Sequence, residues 1–411
     1  MRIKTFKLLI LFLLIIFITG CWDRMELEER AILAVIGIDK AENQMLEITY
    51  VIANPKAATP GEGEAQAEAE VFSFLIPDLS SAKDIVNASV SRRISYSHVE
   101  SIIVGEELAK DERFFNFFAP VLRDKELRRN ISFFVSRESA SEFIENNKPV
   151  LEERPHTFYQ HMRRRWHQTG ISPDSTVHSF VKRTEEDAGL FLVSYATATI
   201  EDPKAAQTED DFLPGEFRKI GGNPTQIVGS AVFKDGQMIG ELTGEETRLT
   251  LLLRADVQTD PILVTYPDPI NQDFLVSGMI RKYANAKVKM NLDGDFPIID
   301  ITVPLAFDIT GIPSLVDYVQ NKDNLELLKK SIRSSIIKKA DELVLRTQRE
   351  FKGDPFQWSH NVRKQFLTLE EFKEYDWMSQ YPEAVVNIDI DLVISAFGRQ
   401  LDPIDIEKIK D

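Results

Sequence analysis

The side chains of this 411-residue chain that could carry chemistry are its histidines, its glycine-rich turns and its paired acids. Four of the six histidines, His156, His161, His167 and His178, fall in one window, which invites a metal site. Their spacing argues against one: on a helix, residues five apart point about 140° away from each other, whereas two ligands on one face need an i, i+4 pair. The run MRRRW between two of them also sets three cations beside a would-be dication. A solvated basic face is the better reading, with docking against anionic headgroups or an acidic partner as the lesser one. The stretches KIGGNPTQIVGS and VIGIDK match neither GxGxxG nor the Walker pattern, and no GxSxG elbow occurs. Glu106-Glu107, Asp210-Asp211 and Glu245-Glu246 are adjacent pairs whose side chains point apart, so solvated surface or helix caps are expected. His98 reads as a hydrogen-bonded structural residue rather than a base. No catalytic constellation, metal site or cofactor is expected.

Cys21 is the only cysteine, and it stands where an apolar run ends. Arg2, Lys4 and Lys7 precede an apolar stretch from Leu8 to Ile18, the layout of a secretory signal. That stretch is about half the roughly 20 residues of a transmembrane helix. Ile18-Thr19-Gly20-Cys21 resembles the lipobox of bacterial lipoproteins, in which the thiol is acylated and the cysteine becomes the new N-terminus. One cysteine permits no intramolecular disulfide, although export would allow them. Two or more acyl chains, each contributing ~0.8 kcal/mol per buried CH₂, would anchor stably. Cys21 is therefore the one site residue named, as a lipid anchor.

Removing residues 1–20 takes away three cations and no acid, so the formal charge falls from −16 to −19. A chain so acidic does not seek phosphate backbones, and nucleic acid is not an expected partner.

These features need elements to position them. AILAVIGIDK and MLEITYVIA read as a hairpin, followed by a low-complexity acidic loop over 54–70. From 71 to 145, strands (VFSFLI, Val99 to Val104, ISFFVSR) alternate with helices (SAKDIVNASVSRRIS, DERFFNFFAPVLRDKELRR, ESASEFIENN), which favours an α/β unit with partly parallel pairing. Phe114, Phe115, Phe117 and Phe118 read as core. PKAAQTEDDFLPGEFRKIGGNP is a long excursion or a linker. Asp235-Gly236 is placed for a two-residue hairpin turn, and Thr243 with Glu246 for a capping box. The C-terminal third alternates strands, the last with Val386, Ile388, Ile390, Leu392 and Ile394 on one face. Between them lies a long helix whose stripe of Leu325, Leu328, Ile332, Ile336, Ala340, Leu343 and Val344 should pack across the sheet or, as the lesser option, against a coiled-coil partner. The fold class expected is α+β or mixed α/β: several mixed-sheet domains, an alternating N-terminal part, and a C-terminal sheet with one long packed helix. The expected division is a signal peptide over 1–20, an α/β domain over 21–185, a hairpin-containing middle domain over 186–255 and an α+β domain over 256–411.

CWDRMELEERAILAVIGIDK resembles the opening of the Ger(x)C family of spore germination lipoproteins. RRISYSHVESIIVGEELAK, VLRDKELRRNISFFVSRESASEFI and IVGSAVFKDGQMIGELTGEET resemble further family segments in order. The acidic insert near 61–70 and LPGEFRKIGGNP look individual to this chain. The resemblance implies three mixed α/β domains without enzymatic activity, in a C-type subunit of a nutrient germinant receptor. It implies lipid anchoring on the outer face of the bacterial cytoplasmic membrane, which is the spore inner membrane. The implied partners are two integral membrane germinant-receptor subunits, A-type and B-type. Two rivals follow from the residues: a solute-binding lipoprotein that delivers a small ligand to a transporter, and an exported hydrolase with a spatially assembled site.

Overall fold

The computed structural model describes residues 29–53, 69–152, 155–186, 189–200, 210–257 and 260–396. Cys21, the stretch expected to be a signal peptide and most of the expected acidic loop lie outside them. The fold is mixed α and β, in two sheets.

The first is a nine-stranded sheet. Its strands are β1 (Arg30–Lys40), β2 (Leu46–Ala53), β3 (Glu70–Ile76), β4 (Arg93–Ser95), β5 (Ser101–Gly105), β6 (Ser132–Ser136), β7 (Phe191–Thr197), β8 (Gln226–Lys234) and β9 (Gln237–Leu242). They lie in the order β3-β2-β1-β5-β6-β7-β8-β9, with β4 beside the start of β1. β1, β5, β6 and β7 run parallel, and antiparallel hairpins flank them on both sides. The parallel strands are buried on both faces, so β5 and β6 read as continuous apolar runs without alternation. Residues 186–255, set apart in the sequence as a middle unit, supply β7, β8 and β9 to this same sheet. Because β7 pairs antiparallel with β8, the polar segment between them is an excursion within one sheet and not a linker.

Helices α1 (Leu79–Asn87), α2 (Glu106–Ala109), α3 (Phe114–Phe118), α4 (Ala140–Asn146), α5 (Pro155–Thr169), α6 (Val177–Glu186) and α7 (Gly244–Leu253) belong to this half. Two expected helices are shorter than their sequence signal. The pattern of SAKDIVNASVSRRIS predicts a helix, but α1 stops at Asn87, whose Oδ1 accepts from Ile94 N (2.9 Å), and Arg93–Ser95 forms β4. Pairing with β1 outweighs weak helix propensity there. In DERFFNFFAPVLRDKELRR only α3 and a following 3₁₀ turn, Ala119–Arg123, are helical. Pro120 supplies no N–H to continue the α pattern, and Asp124 Oδ1 instead accepts from Glu126 N (2.8 Å) in a bend. The aromatics behave as core: Phe114 and Phe118 are buried against Phe133, Phe180 and Phe233, with the Phe133–Phe180 centroids 5.0 Å apart and Phe180–Phe233 5.2 Å.

At the β8–β9 turn, Asp235 (φ 51°) and Gly236 (φ 82°) both take positive φ, as a type I′ hairpin demands. The chain then enters α7 through a complete capping box: Glu246 N donates to Thr243 Oγ1 (3.3 Å) and Thr243 N to Glu246 Oε2 (2.9 Å).

The second sheet contains β10 (Ile262–Pro267), β11 (Leu275–Lys282), β12 (Lys287–Asn291), β13 (Ile298–Gly311) and β14 (Val385–Ala396). β11 and β12 pair antiparallel with successive parts of β13, and β14 pairs parallel with it, so the sheet is mixed. Helix α8 (Lys322–Arg346) crosses it and buries Leu328, Ile332, Ile336, Ala340, Leu343 and Val344 with Ile390 and Leu392 of β14 in one core. Each Leu or Ile so buried contributes about 1.5–3 kcal/mol. The stripe thus serves its own domain, leaving no apolar seam for a coiled coil. Short helices α9 (Ser359–Arg363), α10 (Leu369–Tyr375) and α11 (Trp377–Gln380) close this half. Among the described residues no helix is long and apolar enough to cross a membrane.

Candidate functional site at the carboxyl ends of the parallel strands

In open α/β sheets, ligands settle beyond the carboxyl ends of the parallel strands, where neighbouring connections diverge. Here that place lies between β1, which turns back into β2, and β5, which leads on towards β6. The residues gathered there are Asp39 from β1, Gly105 at the end of β5 and Glu106 after it, Arg137 and Glu138 after β6, and Thr197 at the end of β7 with Ala198 after it.

Each polar group in this place is taken by the chain itself. The Asp39 carboxylate, 5% exposed, accepts from Ala140 N (2.6 Å) and Ser141 N (2.9 Å), the first two amides of α4. Burial pushes the Asp39 carboxyl above the usual carboxylate range, and the two amide donors oppose that shift. A Cβ on Gly105 would collide with Asp39 Oδ1, so glycine at the end of β5 makes room for the carboxylate. Glu106 accepts from the Tyr195 hydroxyl, and Glu138 from Thr197 Oγ1 (2.7 Å) and Ala198 N. Burial also raises the Glu138 carboxyl. Arg137 Nη1 donates to Pro214 O (2.7 Å). The carboxylates at these strand ends are engaged by the chain itself, and the first two amides of α4, which could bind an anion, bind Asp39.

The sequence-singled residues are scattered. His161 Nδ1 lies 3.2 Å from Glu152, His98 Nδ1 lies 2.8 Å from Ser97 Oγ at an exposed 3₁₀ turn, and His178 is exposed on α6. The side chains of His156 and His167 lie outside the described residues. Among the described residues no three His, Cys, Asp or Glu side chains are grouped to hold a metal ion. Of the acidic pairs, Glu245-Glu246 lies at a helix start, where Glu246 closes the α7 capping box, whereas Asp210 departs from the expectation of solvated surface or caps. Asp210 is buried and pairs with Arg248 Nη1 (2.7 Å), while its backbone O accepts from Glu245 N (2.9 Å). Glu245 engages Lys339, and Glu246 receives Arg346 Nη1 on both oxygens at 2.7 Å. The capping box therefore also holds α8, which joins the two halves.

A second junction went unread in the sequence. Asp354 is fully buried and accepts from Phe356 N (2.7 Å), Ser359 N (2.9 Å) and Trp377 Nε1 (3.1 Å); its backbone O accepts from Leu190 N (2.9 Å). Arg183 of α6 donates to Ser359 Oγ (3.2 Å), and Arg254 to Pro355 O (3.0 Å from Nη2). Burial lowers the Arg183 guanidinium and pulls Arg254 down to about 10. The tryptophans in this region were the available signal, since Trp358 and Trp377 are among the largest fully buried side chains.

Residues 23–198 match the family model described as spore germination protein N-terminal domain, and residues 228–398 match that described as spore germination B3/GerAC like, C-terminal. Among curated proteins of Bacillus subtilis (strain 168), spore germination protein B3 is 19% identical over 95% of this chain and 98% of its own length. The putative spore germination protein YfkR is 23% identical over 94% and 95%. Spore germination protein KC is 28% identical over a shorter match, 34% of this chain and 36% of that protein. The crystal structure of the GerBC protein shares the fold, with a TM-score of 0.54 at 16% identity over 87% of this chain and 96% of that one. The two domain matches, consecutive in one chain and carried on the same fold, place this chain in the Ger(x)C family of spore germination proteins.

Proposed function

We propose that this chain is a lipid-anchored subunit of a spore germinant receptor, needed for nutrient-triggered germination and acting through protein contacts at the membrane. Cys21 carries the anchor, on the outer face of the bacterial cytoplasmic membrane, the spore inner membrane. Its partners are two integral membrane subunits, A-type and B-type. The observation that carries the reading is the succession of a lipobox-like Ile18-Thr19-Gly20-Cys21 and a spore germination domain whose match begins two residues later, at residue 23. That the carboxylates at the strand ends are held by the chain's own donors supports a role without catalysis. Tethering raises the effective concentration of the folded halves beside membrane partners, so modest contacts suffice. The rival solute-binding reading needs two similar lobes about a hinge, and the two sheets here differ in size and strand order.

The test is co-purification from detergent-solubilised spore membranes, wild type against Cys21→Ala, with bound proteins identified by mass spectrometry. Recovery of two integral membrane proteins, lost or weakened without Cys21, is expected. Recovery of an ATP-driven permease, or an unaltered complex and normal germination in the variant, would overturn the reading.

A further inference from the structure

Three of the most exposed large aliphatic side chains, Val150 (89% exposed), Leu151 (94%) and Ile220 (84%), lie on two loops that are bonded to each other. Lys148 N donates to Asn223 Oδ1 (3.1 Å), Asn223 Nδ2 to Asn147 Oδ1 (2.7 Å), and Thr225 Oγ1 to the same oxygen (2.7 Å). Leu151 and Ile220 each stand three residues from this joint, a reach of about 10 Å. The second tip is open, since nothing lies within 4 Å of a Cβ built on Gly221 or Gly222.

The charge of these loops runs against that of the chain. Lys148 and Arg218 are exposed beside the aliphatic tips, and Lys219 Nζ donates to Asn223 O, in a chain of formal charge −16. The acids within four residues of the loops are Glu145, exposed on α4, Glu152, which His161 engages, Glu153, and the buried Glu216. Helix α5 follows the first loop directly and adds exposed Arg164 and Arg165.

We propose that these paired loops, 148–151 and 218–222, dock on an anionic lipid bilayer, with Val150, Leu151 and Ile220 entering the acyl boundary and Lys148, Arg218 and Lys219 meeting the headgroup phosphates. Isolated aliphatic tips ringed by cations suit a fluid apolar phase under a negative surface. A protein partner would call instead for aromatic anchors and a flat or concave patch. The inference rests on the proposed membrane anchorage: eight residues separate Cys21 from Arg30, so the start of β1 stays within about 30 Å of the bilayer.

The experiment uses the full chain, processed in a lipoprotein-competent host and reconstituted into phosphatidylglycerol vesicles. A polarity-sensitive fluorophore is attached after Leu151→Cys, Ile220→Cys or, as a reference of equal exposure in the other half, Leu367→Cys. The parent chain is labelled in parallel and reports whether the Cys21 thiol is free, so failure of the anchor is seen separately from failure of the loops. Docking gives a blue shift and quenching by nitroxide lipid at 151 and 220 but not at 367. Both are lost on Lys148→Glu/Arg218→Glu/Lys219→Glu. Solvent-like emission at all three positions overturns the proposal. So does a shift that appears only when integral membrane subunits are co-reconstituted, which would assign the tips to a protein partner.

Discussion

The carboxylate of Asp39 fills the space that a side chain at residue 105 would need, and the missing Cβ of Gly105 is what lets it reach Ala140 N and Ser141 N. The two residues are therefore coupled. Asp39→Ala strands two amides at the start of α4 and should cost about 1–3 kcal/mol. Gly105→Ala should destabilise by a comparable amount in the wild type, where the new methyl meets Oδ1, and by less in the Asp39→Ala background, where that oxygen is gone. Urea unfolding of the four proteins gives the coupling, expected at about 0.5–3 kcal/mol. Strict additivity would show that the contact is not what Gly105 provides.

Lys282 is 4% exposed and donates from Nζ to Arg254 O (2.7 Å). Burial pulls its ammonium down to about 8, from an ordinary value near 10.5. Between those values the unfolded chain binds the proton and the folded one sheds it, so stability from this group rises with pH from about 8 to 10.5 and falls back as pH drops to 8. The slope is at most about 1.4 kcal/mol per pH unit. Lys282→Met should remove it. Unfolding free energies of the two proteins at pH 7, 8 and 9 would show wild type gaining on the variant as pH rises. A constant difference would refute the shift.

Arg346 bridges the halves: Nη1 meets both Glu246 oxygens at 2.7 Å and Nη2 donates to Glu241 O (3.0 Å). Its guanidinium is part-exposed, so the ion pair alone contributes only modestly. The same Glu246 closes the α7 capping box, however, which makes Glu246→Ala the costlier change, about 1–2 kcal/mol beyond Arg346→Ala. Thermal unfolding of both variants should rank them in that order. Equal losses would mean that the box adds nothing beyond the bridge.

What the sequence made legible was local. The Asp235-Gly236 turn, the Thr243/Glu246 box and the alternation of Val386 to Ile394 depend on residues a few positions apart, and each stands as the pattern predicted. The α8 stripe was legible for the same reason, since it repeats within one element. Long-range pairing was not. Nothing near Arg93 announces that RIS joins β1 as a strand, and nothing near Asp210 announces Arg248 as its partner. Asp39 stood in view as the end of a Gly-Ile-Asp strand, but its partners lie a hundred residues away and become visible only when β1, β5 and β6 are set side by side.

The same distance governs Asp354. Its buried carboxylate organises a tight turn through Phe356 N and Ser359 N and orients Trp377, while Leu190 N, from the nine-stranded half, donates to its backbone carbonyl. Arg183 and Arg254 supply positive charge from that same half and from the end of α7. Removing the carboxylate strands the buried donors and takes a counter-charge from Arg254 and from Arg183, which keeps Glu186, a loss of the order of 3–5 kcal/mol. Asp354→Asn keeps the shape and one acceptor but not the charge, and should cost less than Asp354→Ala. Because the turn is where the two cores meet, the loss should appear as lowered cooperativity as well as lowered stability: in Asp354→Ala, tryptophan fluorescence, which includes Trp358 and Trp377, should report an earlier urea transition than far-ultraviolet circular dichroism. Coincident transitions at an unchanged midpoint would show that the two halves are held together elsewhere, as by the Glu246–Arg346 and Glu245–Lys339 contacts and the shared apolar core.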